Sequence, residues 1–156
     1  MKVATISELR KELKHSTKEE LFEYAIALAR FKLESKELLT YLVYEREDEA
    51  GYIESVKAYI DAEFKTINTS SFHYIKKSVR KILRQVKRYI RYSKKPETEA
   101  EILIHFCKTL SNLKPSYKRN KVLVNSYETQ LRMAKKAISK LHEDLQYDFK
   151  LMLEEL

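Results

Sequence analysis

Glycine occurs once in this chain, at Gly51, and proline twice, at Pro96 and Pro115; tryptophan is missing and cysteine appears only at Cys107. Sheets and long loops draw on Gly and Pro for their turns, so a chain this poor in both reads as all-α. One cysteine rules out an internal disulfide framework. A single glycine also rules out the Gly-rich loops that cradle nucleotide phosphates. No apolar run approaches the ~20 residues that span a bilayer, and the N-terminus lacks the apolar stretch of a signal peptide, so a cytoplasmic location is expected.

A further absence is local. Between Phe64 and Pro96 there is no Asp or Glu, yet there are eleven Lys or Arg, ten of them from Lys76 to Lys95. Residues 1–63 carry ten basic and fourteen acidic groups, and residues 97–156 carry ten and nine. The formal net charge of +8 is therefore concentrated in one stretch. A field of one sign in one place points to an anionic partner.

At 156 residues, with 35% charged and 44% hydrophobic side chains, the chain suits a single globular helical domain over 1–156. It divides by charge into an acidic helical half, 1–67, and a half, 68–156, holding the basic helix and the C-terminal helices. The spacing predicts six to eight antiparallel helices, as a bundle or a short α-α superhelix. Thr5-Ile-Ser-Glu8 and Ser16-Thr-Lys-Glu19 fit capping boxes and open helices at about 6–14 and 18–33. Leu9 and Leu13 line the first; Leu21, Tyr24, Ala25, Leu28 and Phe31 (or Ala29) line the second. A third helix, about 36–49, ends in the acidic run Glu45–Glu49, and Gly51 is its natural left-handed stop. Helices at about 52–66 and 98–113 flank the basic one. From Asn120 onward no breaker appears, which allows one long C-terminal helix or two helices kinked near Ser139.

Wound at about 100° per residue, the stretch 71–93 is cleanly amphipathic. Phe72, Ile75, Val79, Ile82, Leu83, Val86, Tyr89 and Ile90 share one arc. The ten cations share another, with Tyr74, Gln85 and Tyr92 at the border. Eleven like-charge pairs fall at i,i+3 or i,i+4 along this helix. At about 0.2–0.5 kcal/mol each, they oppose it by a few kcal/mol unless salt or an anion screens them.

The cationic arc is the candidate binding surface: Lys76, Lys77, Arg80, Lys81, Arg84, Lys87, Arg88 and Arg91. Lys118, Arg119 and Lys121, from the loop 114–121, would extend it. Tyr74, Tyr92 and Tyr117 are candidate stacking rings. The expectation is a non-enzymatic protein that binds nucleic acid or another polyanion. The alternative is a protein-interaction scaffold, self-associating or holding an acidic protein surface, in which the basic helix meets the acidic segment 45–63. A merely solvated face is the plainest reading. Membrane binding is disfavoured, because the single apolar arc is needed for the core.

Little else suggests chemistry. His15, His73, His105 and His142 have no second ligand at helical metal-site spacing. Cys107 sits among apolar residues as a small hydrophobe, without a neighbouring base in sequence. The carboxylates Glu45, Glu47, Asp48 and Glu49 lack the Glu-x-x-His partners of a helical di-metal site. No cofactor, catalytic group or metal is expected.

Ile6-Ser-Glu-Leu-Arg-Lys-Glu-Leu-Lys-His-Ser-Thr-Lys-Glu-Glu-Leu21 resembles the opening helix pair of small uncharacterised bacterial all-helical proteins. More distantly it is similar to the helix-extension-helix of SAP-type DNA-binding modules. The resemblance covers residues 5–25. The glycine that SAP modules usually carry between their helices is missing. Leu9, Leu13 and Leu21 would match core positions only, so the resemblance implies a packed helix pair and assigns no DNA contact.

Overall fold

The computed structural model describes residues 1–156, all in helices and their connections with no strand. The eight helices are α1 (Ile6–Leu13), α2 (Lys18–Phe31), α3 (Leu33–Thr40), α4 (Glu49–Lys65), α5 (Phe72–Ser93), α6 (Pro96–Asn112), α7 (Lys121–Ile138) and α8 (Glu143–Glu154). A wide π-type turn spans Tyr41–Glu45 and a single 3₁₀ turn spans Tyr117–Arg119.

Capping side chains set most of these boundaries. Thr5 and Glu8 form a reciprocal capping box at α1. At α2 the cap is Thr17, which accepts from the Glu20 amide, so the helix starts one residue later than a Ser16 box would place it. Ser71 caps α5, and Asn120 caps α7 by accepting from the Val122 and Leu123 amides. Pro96 opens α6, where its missing N–H has no intrahelical role.

The acidic run does not continue α3. The helix ends at Thr40, and Asp48 becomes the N-cap of α4, accepting from the Gly51 amide at 3.0 Å. Gly51 is therefore a first-turn residue rather than a left-handed stop. A Cβ there would meet the Asp48 carboxylate at 2.3 Å, so glycine leaves room for the cap. The left-handed C-cap falls instead on Lys94, φ 61°, at the end of α5.

The long C-terminal helix is corrected to two. After Ile138 the amides of Lys140 and Leu141 fall back on Ala137 and Ile138, and an extended His142 caps α8 by accepting from the Asp144 amide. The charges suit this break: Lys135 and Lys136 end α7 and Glu143 and Asp144 begin α8, each favourable to its helix dipole.

The chain divides into two compact units, Met1–Tyr44 and Glu45–Leu156, rather than at 67/68. The reason lies in α4, which belongs with the basic helix because it packs against both α5 and α6. In unit 1, α2 and α3 pack on each other, and Tyr41 is the one buried residue.

Unit 2 is built around α6, which buries Thr98, Ala100, Ile102, Leu103, Ile104, Phe106, Cys107 and Leu110. Its most extensive packing is against α7 and α4; α5 lies more lightly on α4 and α6. Phe64 of α4 meets Phe106 edge to face, with ring centroids 5.6 Å apart. The Tyr52 hydroxyl donates to the Tyr89 carbonyl at 2.9 Å, joining α4 to α5. α8 contributes Phe149 to this core.

Candidate functional site

The apolar stripe of α5 fixes where its cations go. Ile75, Val79, Ile82, Val86 and Ile90 repeat every three or four residues and all are buried. Leu83, expected to be central, is only half-buried. Anchored on that side, the helix turns Lys77, Arg80, Lys81, Arg84, Arg91, Lys94 and Lys95 to solvent, while Lys76, Lys87 and Arg88 are half-buried along the margin.

No carboxylate pairs with Lys76, Lys77, Arg80, Lys81, Arg84, Lys87 or Arg91. Arg88 donates to the Gln85 side-chain oxygen. The Lys87 ammonium lies 3.6 Å from the Met133 sulfur of α7.

Of the acidic segment 45–63, Glu49 meets the C-terminal end of the basic stretch, while Glu54 and Asp61 pair within α4 or with α6. Glu49 accepts from Ser93 and Thr98 and pairs with Lys95 at 3.1 Å. Lys57 bridges Glu54 at 2.8 Å and Glu101 of α6 at 2.5 Å. Burial works against the Lys57 charge, but the hydrogen bonds it donates to Glu101 and Glu54 outweigh it and hold the ammonium above the usual lysine range. Asp61 lies 2.7 Å from His105 and accepts from Thr109. These contacts tie the start, middle and far end of α4 to α6 and to the end of α5.

The loop before α7 lies beside the basic helix. The Arg119 guanidinium sits 5.9 Å from the centroid of the Phe72 ring in the first turn of α5, and Lys118, Arg119 and Lys121 are all exposed. Tyr117 is corrected as a stacking ring. It is buried and stacks on Tyr127 at 4.7 Å, so neither face is open to a base. Tyr92 is half-buried and edge-on to Tyr89, with centroids 6.3 Å apart. Tyr74 alone of the three is exposed, edge-on to His73 at the start of the helix.

The sequence reading missed α7. Met133 touches Lys87, and the exposed Arg132 and Lys136 flank Met133 on its own helix. Their signal was masked because residues 97–156 are nearly neutral as a whole. The same reading placed Leu9, Leu13 and Leu21 in a core, yet each is at least 40% exposed.

Burial pushes the Cys107 thiol up to about 12, and its sulfur lies 3.7 Å from the Tyr127 carbonyl oxygen, as for an inert core side chain. No three His, Cys, Asp or Glu side chains converge as metal ligands would. No helix is long and apolar enough to cross a membrane. No family model, curated protein or solved structure matches this chain.

Proposed function

We propose that the unit formed by Glu45–Leu156 binds nucleic acid, or a polyanion of comparable charge density, through the exposed face of α5, and does so without catalysing a reaction. One observation carries the reading: Lys77, Arg80, Lys81, Arg84 and Arg91 form an exposed row that no carboxylate of the chain neutralises. Such a row is held against its own repulsion by the buried stripe beneath it, and a polyanion relieves that repulsion on contact.

The dimensions suit a duplex. The 22 residues of α5 extend roughly 33 Å at 1.5 Å each, close to the ~34 Å of one DNA turn. Lys118, Arg119 and Lys121 continue the surface at one end, and Arg132 and Lys136 of α7 widen it beside Lys87. Of the three candidate stacking rings, Tyr74 is the one exposed to a base or sugar. The exposed cations of this set are long and flexible, and no hydrogen bond or ion pair of the chain holds them in a fixed orientation, which suits contacts to backbone phosphates and binding indifferent to sequence.

Titrations with duplex DNA of two unrelated sequences at two salt concentrations give the measurement. With five to eight phosphates engaged, log K should fall against log salt with a slope of about −4.5 to −7, equally for both duplexes. Absence of binding at low salt, where the attraction is greatest, would end this reading and favour the alternative of an acidic protein surface as partner.

A further inference from the structure

Unit 1 has almost no interior. Of residues 1–44 only Tyr41 is buried, while Phe22, Leu28 and Phe31 are 61%, 66% and 77% exposed. Its helices of 8, 14 and 8 residues are too short to persist in water on propensity alone. A unit of this size ordinarily needs a disulfide, a metal or a partner surface. The first is excluded, since the only cysteine is Cys107, and no metal cluster is present.

The uncovered side chains have a pattern. On α2, half-buried Ala25, Ile26 and Ala29 form the inner side of the helix that packs on α3. Leu21, Tyr24, Leu28 and Phe31 form a second, open line at spacings of three, four and three, which is the a/d repeat of paired helices. Leu9 and Leu13 of α1 stand as a ridge between two adjoining grooves. One, of about 730 Å³, is shared with Tyr24 and Leu28; the other, of about 430 Å³, is shared with Ile6 and Leu21.

The area is sufficient for a stable contact. On this face Tyr24 and Phe31, with Ile6, Leu9, Leu13, Leu21 and Leu28, leave on the order of 600 Å² of apolar side chain exposed. That is the upper end of the largest apolar patch on a typical monomer. With the charged groups at its rim it approaches the ~800 Å² that one partner of a standard interface buries.

Charge selects the occupant. The larger groove carries Glu12 and Glu20; the smaller carries Arg10 and Lys14. A face that is acidic on one side and basic on the other is complementary to itself under a two-fold axis, which lays each acidic groove over the basic groove of the copy. With eight basic and seven acidic side chains, residues 1–44 offer neither the one-signed field that a polyanion needs nor the cationic face that an anionic membrane selects. We infer that this face of α1 and α2 is the contact between two copies of the chain, forming an isologous helical dimer.

Sedimentation velocity of the full chain, freed of nucleic acid and run at about 0.5 M salt so that bridging by polyanions is screened, should show a species of twice 18.6 kDa. Leu28→Glu with Phe31→Glu should raise the dimer Kd by more than about 100-fold. A second set guards against simple misfolding. At lower salt, Arg10→Glu with Lys14→Glu should weaken the dimer, as should Glu12→Lys with Glu20→Lys. The chain carrying all four should recover it. A wild-type monomer at about 100 μM, a dimer indifferent to the Leu28 and Phe31 changes, or a monomer that instead binds anionic lipid vesicles would each overturn the inference. The high-salt result is independent of whether α5 binds DNA.

Discussion

A chain carrying Lys77→Glu, Arg80→Glu and Arg84→Glu is expected to lose duplex binding altogether while melting no lower than the native protein. All three side chains are exposed and free of carboxylate partners, so their loss removes no internal contact. They sit three and four residues apart on consecutive turns, in the N-terminal half of the cationic row. Removing three phosphate contacts alone would flatten the salt slope by about 2.7, and the introduced carboxylates add repulsion on top. Within the helix the exchange acts in the other direction. Arg80→Glu faces Lys76, and Arg84→Glu faces Lys81, Lys87 and Arg88, so several repulsive pairs become attractive ones. Arg88 is deliberately spared, because it is half-buried and held to Gln85. Retained binding in the triple variant would move the interface off α5; a lost helical signal would show that these cations serve the fold.

Ile82→Ala should have the largest effect on stability from α5. Ile82 is buried at the middle of the stripe that anchors the helix. Truncation removes its transfer free energy and leaves a cavity, at a cost of about 2–5 kcal/mol. Against a total of roughly 5–15 kcal/mol this is a large fraction, and for a chain of this length it lowers Tm by about 5–15 °C. Leu83→Ala, at the half-buried position next to it, should cost less, and Arg84→Ala on the outer face should stay within about ±0.5 kcal/mol. Thermal or urea melts of the three variants give the order directly. An Ile82 variant as stable as the Arg84 one would mean that the stripe does not face the core.

The basic helix was legible because two independent patterns agree on it. The apolar residues recur at helical spacing, and the acids are excluded from the same stretch; either alone would have been weaker. Its ends carry local signals as well, the Ser71 cap before it and Pro96 just beyond it. Where the reading failed, it failed for physical reasons. Gly51 reads as a stop in isolation, but it serves as the space into which the Asp48 cap folds, and that depends on a neighbour three residues away. Tyr117 looks like a free ring in a basic loop until Tyr127, ten residues on, takes its face. The break at 139–142 matches the alternative of two helices kinked near Ser139; it carries no Gly or Pro, and what decides for it is the change from Lys135 and Lys136 to Glu143 and Asp144. Leu9, Leu13, Leu21 and Leu28 show a limit of a different kind. An apolar stripe records that a surface requires cover, and periodicity cannot say whether the cover comes from the same chain. The α7 cations Arg132 and Lys136 were hidden because the placement that matters, Met133 against Lys87, joins residues 46 positions apart.

The lighter packing of α5 than of α6 has a consequence for the order in which the protein opens. Amide protons exchange with solvent through the cheapest opening that frees them, and cover by buried side chains, not helix length, sets that cost. α6 is enclosed on most sides by its eight buried residues, so its amides should exchange only when the whole unit unfolds. α5 is the longest helix, but it is covered along one stripe and strained along the opposite one. Its amides should exchange sooner, through a partial opening that leaves α4, α6 and α7 together. The surface offered to a polyanion thus lies on an element that opens before the α6 core does, and a bound ligand would register as slowed exchange along α5, with α6 unchanged.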